Sequence, residues 1–162
     1  MDLIRGISGI RGIVNQSLTD DVISNHVKAF SSVQDNGPIL VARDSRVHGE
    51  QFTKLASETL KKCGRDVLNF DIIPTPTAQF LIDKNCLAGG IVITASHNPL
   101  EWNGMKFIDS DGCFLDRIKN NKLFELADLN SFQKEEVGSI KNINNGYLDH
   151  VNHTHDLSVI NS

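Results

Sequence analysis

Cysteine is scarce in this chain. Its 162 residues hold three, Cys63, Cys86 and Cys113, odd in number and far apart. With no C-x-x-C pair, the spacing on which a zinc site or a dithiol redox motif depends is missing. The three are read as reduced thiols that fill space as small apolar residues. Long hydrophobic runs are absent as well; none approaches the roughly 18 residues a transmembrane helix needs. The opening Met1-Asp2-Leu3-Ile4-Arg5-Gly6 lacks the apolar stretch behind a basic start that marks a signal peptide. The expected location is therefore the cytoplasm, with no membrane partner. An excess of positive charge is missing too. With 16 basic and 20 acidic residues the net charge is −4 and no basic stripe forms, so no nucleic-acid partner is expected. Internal repeats and low-complexity tracts do not occur. What remains is ordinary: 40% hydrophobic and 22% charged residues describe a soluble globular protein. The length suits one domain, or one domain and the start of another.

Strands and helices alternate along the chain. Three glycines at spacing three, Gly6, Gly9 and Gly12, read as a loop feeding a short strand. Thr19 reads as an N-cap before Asp20 and Asp21, which suit the positive end of a helix dipole. Val22, Ile23, Val27, Phe30 and Val33 then recur at helical spacing up to the stop Asn36-Gly37-Pro38. Ile39 to Ala42 is a buried strand running into the polar cluster Arg43-Asp44-Ser45-Arg46. A helix follows over about 48–63, with Gly64 at its C′ position. Asp66 to Asp71 alternates as a strand, and Pro74-Thr75-Pro76 opens a short helix. Gly89 to Thr94 is the next buried strand, Ala95 to Gly104 a polar loop, and Met105 to Ile108 a strand. Asp109-Ser110-Asp111-Gly112 turns into a helix over about 116–128. This order predicts an α/β fold, a three-layer αβα sandwich with a mixed, mostly parallel sheet. The pattern weakens after Gly138. Residues 1–137 are read as the domain and 138–162 as a connector towards a second domain, with one short helix at Tyr147 to Val151 and a solvated histidine-bearing tail (His150, His153, His155).

The chemistry concentrates at Thr94-Ala95-Ser96-His97-Asn98-Pro99 and the nearby Asn103-Gly104-Met105-Lys106. A serine directly after a buried strand sits at the carboxyl edge of the sheet, where ligands of open α/β folds bind. A hydroxyl that takes up and releases a phosphoryl group needs positioning and positive charge more than covalent help. Lys106 offers charge and a proton; His97 and Asn98 offer donors to phosphate or sugar oxygens. The nucleophile elbow G-x-S-x-G, the Walker A loop and G-x-G-x-x-G are all absent. A serine capping an ordinary turn remains the plain alternative at this point. Arg43 and Arg46 bracket Asp44 and are read as a structural ion-pair network rather than substrate contacts.

Taken in order, five segments resemble domain 1 of the α-D-phosphohexomutase family, which comprises phosphoglucomutase, phosphomannomutase and phosphoglucosamine mutase. They are Gly6 to Gly12, Arg43 to Arg46, Pro74 to Pro76, Thr94 to Pro99 and Asn103 to Lys106, spanning about residues 4–128. The resemblance implies that Ser96 is the phosphorylated serine, passing its phosphate to a hexose monophosphate and taking the other one back from the bisphosphate. It implies Lys106 as general acid or base, Arg11 as a cation near the phosphoserine, and His97 and Asn98 as substrate-binding residues. A surface ion pair is the plain alternative for Arg11. Mg2+ is the implied cofactor, with the phosphate on Ser96 as its contact in this chain. The family's magnesium loop D-x-D-x-D-R belongs to a second domain, and no such run occurs here. The implied partners are therefore a hexose phosphate and the later domains of the same parent chain, and the chain alone is expected to be inactive. Two other functions fit less well: a non-catalytic interaction or regulatory module that kept the fold, and a sugar-phosphate phosphatase, which lacks a D-x-D at a strand end.

Overall fold

A computed structural model describes residues 2–129 and 137–160, with side chains in the last helix as far as Thr154. The order of elements is β1 Ile4–Gly6, β2 Gly9–Ile13, α1 Asp20–Val33, β3 Ile39–Arg43, α2 Gly49–Lys62, β4 Val67–Ile72, α3 Thr75–Lys84, β5 Gly89–Ile93, β6 Trp102–Ile108, α4 Arg117–Leu129, β7 Ile140–Asn142 and α5 Gly146–Ile160. Local chemistry sets many of these limits. Thr19 caps α1 by accepting from the Val22 N–H at 3.3 Å, and Gly64 leaves α2 at φ +80°. Both were legible in the sequence.

The strands form one sheet in the order β1-β2-β6-β5-β3-β4-β7. Pairs β3–β4, β3–β5 and β4–β7 are parallel; pairs β1–β2, β2–β6 and β5–β6 are antiparallel. Five of the seven strands therefore run in one direction, with β1 and β6 opposed. The sheet is mixed, as expected. Helices α1, α2 and α4 pack together on one face, where Phe30 and Phe107 stack at 5.4 Å in a core shared with Ile23, Phe52, Leu60 and Leu123. Helix α3, with α5 beside it, covers the other face through Ala78, Leu81 and Ile82. The parallel run β4-β3-β5 reads as near-continuous apolar sequence because both of its faces are covered.

Residues after 138 do not form a mere connector. Val67 N–H donates to Ser139 O at 2.8 Å and β7 adds in parallel to β4. Asp66 fixes the register by accepting from both the N–H and the hydroxyl of Ser139, at 2.9 and 2.6 Å. These bonds, the hydroxyl's first, hold the Asp66 carboxyl below its ordinary range. Helix α5 begins at Gly146, where a Cβ would run into the Phe70 ring and Leu81. It docks on α3 by placing His150 and His153 against Phe80, at ring separations of 4.7 and 4.9 Å, with His150 Nδ1 2.9 Å from Thr77 Oγ1. His150 is half-buried in this contact and His153 stays exposed beside the same ring; the His155 side chain lies outside the described residues. Three residues with one apolar member cannot announce a strand, and β7 exists because β4 offers it an edge.

His26 gives the fold a pH dependence. Its ring is buried on α1, Nδ1 donates to Val22 O at 2.7 Å, and Nε2 has no partner. The carbonyl acceptor requires a proton on Nδ1, and the buried Nε2, with no partner, disfavours a second one. Burial, the largest cause, pushes its pKa below the usual 6.5, against the opposing effect of the Val22 hydrogen bond. The unfolded chain then binds the proton more readily than the native one. Stability is therefore intact above pH 6.5 and falls on acidification from there down to the folded pKa. Urea unfolding at stepped pH checks this, with His26→Phe expected to flatten that part of the profile.

Candidate active site

Strands β3 and β5 lie side by side and parallel, so the loops leaving their carboxyl ends meet. The loop after β5 carries Ser96, and the loop after β3 carries Asp44 and Arg46. On the other side of β5, β6 brings Gly104 level with Thr94, and β2 brings Arg11 level with Gly104. Residues more than 90 apart in sequence thereby border one hollow of about 230 Å³. Ser8, Arg11, Thr94, Ser96, His97 and Lys106 line it together with apolar and glycine backbone.

Ser96 is exposed and has φ +57°. A side chain other than glycine, asparagine or aspartate held there carries strain of about 1–2 kcal/mol. Its Oγ is 3.4 Å from His97 Nδ1, a long contact that leaves the hydroxyl open to a reactant. Lys106 borders the hollow from β6; its ammonium lies over the Phe114 ring, 5.5 Å from the ring centre. Arg11 is exposed, and among the described residues it makes no ion pair. Its expected alternative, a surface salt bridge, is not present there. Arg11, His97 and Lys106 thus border the same hollow as the serine, while no carboxylate lines it. Such a lining receives an anion.

Asn98 stands apart from this set. It does not border the hollow; its side-chain amide donates to Ala95 O at 2.7 Å and closes the loop on itself. Trp102, which the sequence placed in the loop, is the first residue of β6.

The connections beneath the loop escaped the sequence. Arg46 donates to four backbone carbonyls, those of Pro99 and Trp102 through Nη1 at 2.8 and 2.9 Å and those of Ser96 and Asn98 through Nη2 at 2.8 and 2.7 Å. Its Nε faces Asp44 Oδ2 at 3.3 Å. Asp44 also accepts from Thr94 Oγ1 at 2.6 Å, and Thr94 Oγ1 accepts from the Ser96 N–H at 2.9 Å. Arg43 is occupied separately, with Nε donating to Asp71 at 2.6 Å. The mixed-sign cluster is structural, as read, but its second arginine serves the serine loop in particular. Asn120 secures the other wall, donating to Ile7 O at 2.9 Å in the β1–β2 turn. Arg5 ties β1 to α4 through a two-pronged pair with Asp128 at 2.6 and 2.8 Å.

Fold and site together define an α/β domain with an open serine in an anion-receptive hollow at the carboxyl edge of β5. The family description "Phosphoglucomutase/phosphomannomutase, alpha/beta/alpha domain I" matches residues 2–134, and the chain belongs to this family. It is 35% identical over 163 residues to the phosphoglucosamine/phosphogalactosamine mutase of Sulfurisphaera tokodaii, covering 93% of this chain and 36% of that protein. It is 37% identical over 129 residues to the phosphoglucosamine mutase of Prochlorococcus marinus strain AS9601, covering 79% of this chain and 29% of that one. The chain thus spans about a third of the length of the curated relatives it matches. A solved phosphoglucomutase/phosphomannomutase family protein from Burkholderia thailandensis superposes with a TM-score of 0.75 at 25% identity, over 85% of this chain and 32% of its own. The family match ends at residue 134, short of β7 and α5. Among the described residues, no helix is long and apolar enough to cross a membrane.

Proposed function

We propose that this chain is the phosphoserine-bearing domain of a hexose-phosphate mutase. Ser96 carries a phosphoryl group, passes it to the free hydroxyl of a hexose monophosphate, and takes back the other phosphate from the resulting bisphosphate. In each direction one P–O bond forms as another breaks in line with it, and the sugar hydroxyl's proton passes to a base. Lys106, in its amine form, is the candidate base, and as an ammonium returns the proton in the second transfer. Arg11 balances charge on the transferring group. His97 is within reach of phosphate or sugar oxygens; Asn98 contributes by shaping the loop. The observation that carries this function is the strained, open Ser96 set among Arg11, His97 and Lys106 with no carboxylate in the hollow.

The lining does not fit a magnesium ion by itself. Its side-chain oxygens are the hydroxyls of Ser8, Thr94 and Ser96, whereas Mg2+ takes carboxylates together with phosphate oxygens. No group of three or more metal-ligating side chains occurs among the described residues. A phosphate on Ser96 supplies one oxygen, and carboxylates from another domain are needed. The isolated chain is accordingly expected to show no turnover; magnesium-dependent isomerisation of a hexose 1-phosphate by the pure chain would refute this. The function itself is tested by incubating the chain, joined to the domain that brings those carboxylates and with Mg2+ present, with the 1,6-bisphosphates of glucose, mannose and glucosamine. Intact mass and peptide mapping are expected to place one phosphoryl group on Ser96. Uptake on another residue, or none, rules the function out.

A further inference from the structure

We propose that Arg46 is the positioning residue of this site: through Asp44, Thr94 and the loop carbonyls it holds Ser96 in the left-handed conformation that presents its hydroxyl to the hollow. This role rests on the phosphoserine function proposed above. Neither Arg46 nor Asp44 borders the hollow, so neither touches substrate there. The Arg46 side chain is only 10% exposed, and its charge is balanced by Asp44 at 3.3 Å. Its two terminal nitrogens collect the carbonyls of Ser96, Asn98, Pro99 and Trp102. A seven-residue stretch is thereby gathered around one planar group. Those four carbonyl oxygens point at a cation outside the hollow instead of lining a place meant for phosphate. Hydrogen bonds from a charged donor are stronger than those between neutral groups, and four of them converge here against the strain at one residue.

Thr94 closes the circuit. It is 7% exposed, and its one hydroxyl both donates to Asp44 and accepts from the Ser96 N–H. Arg46 thus reaches Ser96 by two routes, directly at its carbonyl and through Asp44 and Thr94 at its amide. Lysine at position 46 cannot replace this, because an ammonium lacks the planar fork that spans four acceptors and a carboxylate. Valine at 94 keeps the shape and deletes the hydroxyl; serine at 94 keeps the hydroxyl.

The test has two readouts, amide exchange on the 162-residue chain and phosphoryl uptake on that chain joined to the domain that brings the metal's carboxylates. Amide hydrogen exchange at Ser96, followed by NMR, is expected to speed up by about tenfold or more in Arg46→Lys and Thr94→Val, the equivalent of one net hydrogen bond. Thr94→Ser should exchange as the parent sequence does. Amides of Ile91 and Ile93 in β5 serve as the internal control and should not change, which separates loop release from global unfolding. Phosphoryl transfer from a hexose 1,6-bisphosphate to Ser96 should fall about 100-fold in Arg46→Lys and Thr94→Val, and be retained in Thr94→Ser. Equal behaviour of the valine and serine variants at 94 overturns the proposal, as does unchanged exchange in Arg46→Lys or acceleration spread equally over β5. If the exchange pattern holds while the unsubstituted protein, joined to that second domain, never takes up phosphate, the phosphoserine function fails and the positioning of the loop stands.

Discussion

Replacing Ser96 by alanine is expected to lower phosphoryl uptake from a hexose bisphosphate by at least about a thousandfold, the scale on which loss of a nucleophile acts. Two other hydroxyls border the hollow, and neither substitutes. Thr94 Oγ1 is buried, with its proton committed to Asp44 and a lone pair to the Ser96 N–H. Ser8 is exposed but sits in the β1–β2 turn, outside the loop that Arg46 gathers. Stability should move in the other direction. Ser96 contributes no buried area, so Ser96→Ala should change unfolding free energy by under about 1 kcal/mol. Ser96→Gly, which relieves the φ of +57°, should raise it by about 1 kcal/mol. A glycine that stabilises the fold while eliminating uptake is the pattern expected when strain is held at a working site. Chemical denaturation and mass spectrometry on the same three proteins decide it. A Ser96→Gly protein less stable than the parent sequence would mean that the loop is not strained.

Gly104→Ala should destabilise the fold by about 3 kcal/mol, the upper end of overpacking costs. A Cβ at Gly104 would enter the Ile10 carbonyl oxygen and come within 3.0 Å of Arg11 Cα. Both obstacles are backbone of β2, so no side chain can move aside. The only relief is to part β2 from β6, which also moves Arg11 away from Ser96. Uptake should therefore fall together with stability, in contrast to the Ser96 variants, where the two separate. A melting curve for Gly104→Ala within a degree or two of the parent's would show that the strands give way more easily than close packing allows.

Gly104 also marks where sequence reading stops short. Within Asn103-Gly104-Met105-Lys106 the sequence pointed to Lys106, and the structure brings Lys106 to the hollow. The glycine's own reason lies in β2, more than 90 residues away. Arg46 is the same case on a larger scale. A cluster of mixed charge after β3 reads as a loop support, and it is one, but its target is the carbonyls of a segment 50 to 56 positions later. Asn98 shows the converse: its amide, which could serve a ligand, donates to Ala95 O within the loop. The short β7 was not legible, because three residues with one isoleucine have no period to detect; the helix read at Tyr147 to Val151 lies within α5, and only its length and its docking on α3 escaped.

The sequence by itself determined the alternation of strands and helices, the caps at Thr19 and Gly64, and a serine following a buried strand. These depend on periodicity and turn chemistry, which act over a few neighbouring residues. Only the tertiary structure decided that Arg11, Ser96 and Lys106 share one hollow, that Arg46 serves the serine loop, and that 140–142 is a strand. Those outcomes require donors and acceptors far apart in the chain to meet, and they meet only once the sheet has fixed which strands are neighbours and in which direction they run.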